Sequence, residues 1–263
     1  MHEGIFIAAS AGLKQAKKME VIAQNLANVN STGYKKDRLA FKELMPPFPP
    51  DAGNEASKNA LLTPDKSNKN VSYVAVTDQY TDHKSGIFKQ TNSEMDMALD
   101  GPGYFSVLTT EGIRYTRNGN FRLDTENRLV NQSEQPVLNE QGEPIVINAQ
   151  GSDISIDANG NIFAGSGIGN QNIGKIKLVD FENKQTLEKQ GDGLFYQSDS
   201  EAEEGPINNT KLRQGFLEGS NVTAVDEMTN MISTLRLFET YQKMIQSIDN
   251  MDDQAVNSIG RVG

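Results

Sequence analysis

The sequence predicts an α+β protein. A long helix at each end pairs with the other as a coiled-coil-like helical domain, and an antiparallel β-rich roll or barrel-like domain is inserted between them. Three observations carry this. Ile5, Ala9, Gly12, Ala16, Met19, Ala23 and Leu26 recur at alternating spacings of four and three, flanked by Leu13, Ile22 and Val29. Met228, Met231, Leu235, Phe238, Ile245 and Ile248 make a similar stripe near the other end, flanked by Val225, Tyr241, Met244 and Met251. Such spacing makes a narrow apolar seam, the kind one helix presents to another. Between the two stripes, apolar residues come only in short groups separated by turn residues.

The first helix is expected over about Gly4 to Asn28, ending in Asn30-Ser31-Thr32-Gly33, where Gly accepts a left-handed conformation and the polar side chains satisfy free backbone groups. Tyr34 to Leu44 mixes charged and apolar residues. Pro46, Pro47, Pro49 and Pro50 impose a stiff, extended connection. Asp51 to Asn70 is rich in Lys, Asn, Ser and Asp and reads as a mobile surface loop. From Val71 to about Leu217 the strand candidates are Tyr104-Phe105 with Val107-Leu108, Ile113 with Tyr115, Phe121 with Leu123, Ile145 to Ile147, Ile154 with Ile156, Ile162-Phe163 and Ile176 to Val179. Asn118-Gly119, Gln141-Gly142 and Asn159-Gly160 are candidates for the tight turns between them. Thr223 followed by Asp226 resembles a capping box, opening a second helix to about Met251 that would be about 43 Å long. The expected organisation is residues 1–33 with 220–263 as a discontinuous helical assembly domain, 34–70 as connector and mobile loop, and 71–219 as a β-rich domain.

Composition narrows the function classes. A net charge of −10 argues against nucleic acid or an anionic membrane as a general partner. The absence of Cys removes disulfides, thiolate catalysis and thiolate metal sites. No stretch approaches the roughly 18 apolar residues of a membrane span, so direct membrane insertion is not expected, and residues 1–15 lack the pattern of a cleaved signal peptide. Charge is distributed unevenly between the ends. Residues 1–36 carry five Lys against Glu3 and Glu20, a net of +3, whereas residues 221–263 carry three basic against six acidic side chains, a net of −3. This complementarity helps the ends pair in register more than it stabilises them.

Candidate chemistry is sparse. His2 and His83 read as solvated histidines with no ligand partner at helical spacing. Asp157, Asn159, Gly160 and Asn161 touch a calcium-loop pattern, but Gly comes too early and no Glu closes it, so a hairpin turn is the better reading. Gly165, Gly167 and Gly169 precede strand-like residues rather than a helix start, which weakens a phosphate-loop reading. No catalytic, cofactor or metal residue is assigned.

The segment Asn25-Leu26-Ala27-Asn28-Val29-Asn30-Ser31-Thr32-Gly33-Tyr34-Lys35 resembles the signature of the bacterial flagellar rod and hook proteins. Leu217-Glu218-Gly219-Ser220-Asn221-Val222 and the helix after it resemble the C-terminal part of the same family. Asp96 to Phe105, Tyr115 to Phe121 and Asp192 to Phe195 also resemble stretches of it, whereas residues 45–75 do not, and Pro102 stands where related sequences often have Asp. The resemblance is greatest to the rod members, the proximal type first and the distal type next.

It implies a non-enzymatic structural subunit, a drive-shaft component in the periplasmic rod of the basal body that transmits torque from motor to hook. Its terminal helices would line an inner tube and its β domain would form an outer layer. The implied partners are other rod subunits, further copies of itself and the flagellar export apparatus, which would carry it out without a cleaved signal peptide. The expected assembly interface is Leu13, Ala16, Met19, Ile22, Ala23, Asn25, Leu26, Asn28, Val29, Asn30, Gly33, Val225, Met228, Met231, Leu235, Phe238, Tyr241, Ile245 and Ile248. For Asn25, Asn28, Asn30 and Gly33, ending the helix is the plainer role and binding neighbouring subunits the sharper one. A secreted β-rich glycan-binding module and an enzyme acting through its carboxylates are the rival classes.

Overall fold

The computed structural model of the chain describes residues 2–44, 73–148, 153–165, 171–198, 204–207 and 210–259. The prolines at 46–50 and the polar stretch 51–70 therefore lie outside the described residues. Helix α1 spans His2–Ala27 and helix α2 spans Ala224–Ile259. The second helix runs past its expected end because no Gly or Pro interrupts the sequence before Gly260.

Between them the strands are β1 (Asp37–Leu44), β2 (Tyr73–Thr81), β3 (Phe88–Gln90), β4 (Met97–Asp100), β5 (Tyr104–Thr109), β6 (Gly112–Thr116), β7 (Arg122–Leu123) and β8 (Leu129–Val130). They continue as β9 (Asp153–Ile156), β10 (Asn161–Gly165), β11 (Gln171–Lys175), β12 (Leu178–Asp180), β13 (Leu187–Gly191), β14 (Leu194–Gln197), β15 (Gly205–Pro206), β16 (Lys211–Gln214) and β17 (Phe216–Glu218). Two compact units result, one from Met1–Leu26, Asp37–Tyr80 and Ala224–Gly263, the other from Ala27–Lys36 and Thr81–Thr223.

In the first unit, β1 pairs with β2. The end of α1 is held to β1 by a reciprocal pair: the Asn25 amide donates to the Asp37 carbonyl at 2.9 Å, and the Asp37 N–H donates to Asn25 Oδ1 at 2.9 Å. Asn25 thereby acts as a side-chain substitute for a strand partner.

The second unit is built around a six-stranded antiparallel sheet in the order β13-β14-β6-β5-β12-β15. Successive side chains on a strand point to opposite faces, and here both faces are buried. Phe105, Val107 and Leu194 enter a large core with Met97, Leu99, Leu129, Ile145, Ile162 and Ile176. Their neighbours Tyr104, Tyr115, Val179 and Phe195 enter a smaller core with Phe181 and Leu187 on the other face. Smaller ladders complete the unit: β11-β10-β9, β16-β4, β17-β3 and β7-β8. None of these sheets closes on itself, which corrects the barrel-like expectation: short strands broken by turns every few residues cannot build the continuous ladder a barrel needs.

One turn recurs. Asp124, Asn131, Asn139 and Asp157 each accept from the backbone N–H two and four residues on, at 2.8–3.0 Å. The residue three on, Asn127, Glu134, Gly142 or Gly160, then has φ between 59° and 86°. This bears out the turns at Gln141-Gly142 and Asn159-Gly160, and it engages the Asp157 carboxylate in a hairpin. Asn118-Gly119 is different. Gly119 packs against β4, where a Cβ would come within 1.7 Å of the Met97 carbonyl, so its glycine serves close approach instead of a hairpin.

Because the same turn carries Glu at one corner and Gly at another, substitutions at the two should differ in their cost. Glu134→Gly relieves a left-handed L-residue and should change stability by no more than about 1 kcal/mol, while Gly142→Val should cost about 1–2 kcal/mol, read by urea denaturation.

Candidate functional site

The helical unit has a shielded stripe on each helix. In α1, Ala8, Gly12, Gln15, Val21, Ile22 and Asn25 are buried and Met19 and Leu26 half-buried. At about 100° per residue, Gly4, Ala8, Gly12, Gln15, Met19, Ile22 and Leu26 fall within an arc of roughly 80°, with Val21 and Asn25 to one side of it. In α2 the shielded positions are Glu227, Met231, Thr234, Phe238, Tyr241, Ile245, Ile248, Asp252 and Ala255, alternating by four and three over the length of the helix. The two helices approach near Gly4, where a Cβ would lie 3.4 Å from Ile248 Cδ1.

Apolar residues also lie outside the shielded stripe. Val225, Met228, Ile232 and Leu235 are exposed on one side of it, and Leu237, Met244 and Met251, at intervals of seven, on the other. In α1, Phe6, Ile7 and Leu13 are exposed, Leu13 at 73%. Isolated exposed apolar side chains need no explanation, but rows of them at helical spacing are characteristic of interaction surfaces.

The second unit contains a buried charge cluster. Glu218, at the end of β17, is 0% exposed. Lys35 Nζ donates to its Oε1 at 2.6 Å, Gly86 N–H donates to the same oxygen at 2.8 Å, and Arg117 Nη1 stands 3.3 Å from its Oε2. Lys35 Nζ also donates to the Lys84 carbonyl at 2.8 Å, while Arg117 donates to the Leu99 and Gly101 carbonyls at 3.1 and 2.6 Å and lies over the Tyr104 ring. Burial pushes the Lys35 ammonium below the ordinary lysine range, against the opposing pull of the Glu218 carboxylate. Burial raises the Tyr104 phenol above its ordinary range.

Around the cluster the chain is tied to itself. Gly33, at φ 69°, donates its N–H to the Glu218 carbonyl at 2.7 Å, and a Cβ there would come within 2.5 Å of the Arg117 and Asn118 backbone. Asn221 accepts from Lys36 N–H at 2.7 Å and donates to the Asp82 carbonyl at 2.7 Å, and Asp82 N–H donates to the Lys36 carbonyl at 2.9 Å. One carboxamide thus fastens the segments at residues 36, 82 and 221, each next to a point where the chain leaves this unit.

Of the residues expected at an assembly interface, Ile22, Asn25 and Gly33 are buried. Ala16, Met19, Leu26, Asn28, Val29, Met231, Phe238, Tyr241, Ile245 and Ile248 are half-buried, and Leu13, Ala23, Asn30, Val225, Met228 and Leu235 are exposed. Asn28 Oδ1 accepts from the Ser31 hydroxyl at 3.0 Å, within the turn that follows α1. Hydrophobic spacing missed Gln15, Glu227 and Thr234 because the shielded stripe includes polar residues. It also missed Lys35, Arg117 and Glu218, although each lies in a motif quoted above. His83 corrects the expectation of a solvated ring. Its Nδ1 is 2.7 Å from the Tyr104 hydroxyl and its ring packs on Phe195, and burial lowers its pKa from 6.5 to about 4.

Among the described residues no group of three His, Asp or Glu side chains is placed to hold a metal ion, and no helix is long and apolar enough to cross a membrane. What the geometry offers is exposed helix surface and a buried, cross-tied charge cluster within the second unit. The sequence matches three families: "Flagella basal body rod protein" over residues 5–35, "Flagellar hook protein FlgE/F/G D1 domain" over 98–164, and "Flagellar basal body rod FlgEFG protein C-terminal" over 213–258. It is 33% identical to the flagellar basal-body rod protein FlgG of Buchnera aphidicola subsp. Schizaphis graminum, over 90% of this chain and 92% of that protein. It is 33% identical to FlgG of Bacillus subtilis over 94% and 96%, and 29% identical to the basal-body rod protein FlgF of Caulobacter vibrioides over the full length of both. The chain belongs to the flagellar basal-body rod protein family. It is a structural subunit of the rod, a family that is not an enzyme class. Lys35, Arg117 and Glu218 come one from each of the three matched segments.

Glu218→Ala would strand two buried cations and should cost about 3–5 kcal/mol. Lys35→Met leaves Arg117 to neutralise the carboxylate and should cost less than half as much, both read by chemical denaturation of the β-rich unit. His83 titrates in the opposite sense from a paired histidine. Its folded pKa lies below the unfolded one, so the unfolded chain binds the proton first, and stability present above pH 6.5 is lost as pH falls towards 4. The loss should be at most about 3 kcal/mol and should shrink in His83→Gln, measured as melting temperature against pH.

Proposed function

We propose that the chain is the proximal type of rod subunit, and that α1 and α2 pair as a coiled coil lining the inner tube of the rod while the β-rich unit forms its outer layer. Copies of the chain and other rod subunits dock, head to tail, on the apolar flanks of α2, and the packed helices carry torque from motor to hook. The subunit reaches the periplasmic rod through the flagellar export apparatus with its helices unfolded, and ordering them on arrival couples folding to assembly.

The observation that carries this reading is the pair of exposed rows beside the shielded stripe: Val225, Met228, Ile232 and Leu235 on one side, Leu237, Met244 and Met251 on the other. A helix shielded on one stripe and apolar on both sides of it fits a position between neighbouring helices. The proximal assignment is supported by the Leu217–Val222 run and by end-to-end similarity to FlgF of Caulobacter vibrioides. The distal reading is favoured by the slightly higher identity to FlgG proteins.

A Met228→Asp, Leu235→Asp double variant should abolish rod completion and motility while the β-rich unit keeps its melting temperature. Swimming cells with complete basal bodies would refute the flank as an interface. Imaging basal bodies that carry the labelled subunit separates the two positions, since a proximal subunit labels the motor end and a distal one the hook end.

A further inference from the structure

The facing stripes of the helical unit contain two polar side chains whose roles the rod reading does not explain. Gln15 in α1 is 7% exposed and Thr234 in α2 is 0% exposed, and neither Gln15 Oε1 nor Thr234 Oγ1 has a hydrogen-bond partner. Buried polar atoms in native proteins are nearly always paired, so two orphans on facing stripes require a reason.

Their relative position follows from the approach of Gly4 to Ile248. Were the helices parallel, α1 would have no residues to set beside the shielded positions 227–245 of α2; only an antiparallel pair brings both stripes together. Counting from that approach, Gln15 lies eleven residues along α1 and Thr234 fourteen residues back along α2. At 1.5 Å per residue their levels differ by about 4.5 Å, less than one helical turn and within reach of a glutamine side chain.

We propose that the Gln15 carboxamide and the Thr234 hydroxyl form a polar layer that holds the α1–α2 seam in one register. This rests on the helix pairing proposed above. The hydroxyl donates to Gln15 Oε1 once the glutamine turns to meet it. The selection is physical. A stripe repeating every seven residues looks nearly the same after a one-heptad slip, so apolar packing alone discriminates weakly. A slip leaves Thr234 facing Ala8 or Ile22 and forfeits the bond to Gln15, whereas the native register lets the two side chains reach each other.

The chain has no Cys, so introduced cysteines report register without background. Two full-length forms are compared in isolated basal bodies after oxidation. Gly4→Cys with Ile248→Cys reads the native register. Gly4→Cys with Ala255→Cys reads a one-heptad slip and is about 10 Å out of native alignment, too far for a disulfide. In the otherwise unaltered chain only the first pair should cross-link. Adding Gln15→Leu and Thr234→Val should bring the slipped pair to a yield comparable with the native one, whereas strictly native cross-linking in that background overturns the proposal. The exchanged layer, Gln15→Thr with Thr234→Gln, should restore native-only cross-linking. If the apolar form fails to enter basal bodies, the exchanged form decides alone: native-only cross-linking supports the layer and cross-linking in both registers overturns it. Absence of both cross-links in the unaltered chain would instead refute the helix pairing itself.

Discussion

A carboxylate sealed from water needs compensating charge and hydrogen bonds, and Glu218 obtains them from parts of the chain that are far apart in sequence. Lys35 follows α1, Arg117 follows β6, and Gly86 donates from the segment before β3. Each element can take its position only when the others do, because an unmatched buried charge is far more costly than an unmatched apolar contact. The left-handed Gly33 and the Asn221 carboxamide depend on the same closure: Gly33 lies against the backbone beside Arg117, and Asn221 ties Lys36 to Asp82. The segment after α1 and the segment before α2 are thereby joined within the β-rich unit.

The six-stranded sheet gives this junction a stiff support. Tyr104 and Phe105 are adjacent in sequence but enter different cores, and the Tyr104 ring forms the floor under Arg117 and holds His83 by its hydroxyl. Packing on both faces fixes Tyr104 more firmly than a half-solvated sheet would. The recurring Asx turns at 124, 131, 139 and 157 let short strands reverse within five residues, so the large core is filled without long loops.

The helices follow a different logic. Their shielded faces include Gln15, Glu227 and Thr234, while apolar rows on α2 are left exposed. A self-sufficient domain would bury its large apolar side chains and expose its polar ones. Hydrophobic spacing therefore located the helices and named Leu13, Ala23, Val225, Met228 and Leu235 among the interface candidates; these are exposed in the single chain, while polar Gln15, Glu227 and Thr234 are buried.

Two helices, a strand-rich middle and membership of the flagellar rod family were legible in the sequence, because helical period, turn chemistry and the Asn25–Lys35 signature are all local patterns. The Gln141-Gly142 and Asn159-Gly160 turns were legible for the same reason, since five consecutive residues decide them. Tertiary structure alone decided which face of each helix is shielded, that the strands form open sheets rather than a barrel, that His83 is packed against aromatic rings, and that Lys35 meets Glu218 across 183 positions of sequence. Those outcomes depend on which distant groups arrive at the same place, and no local periodicity encodes the partner of a buried charge.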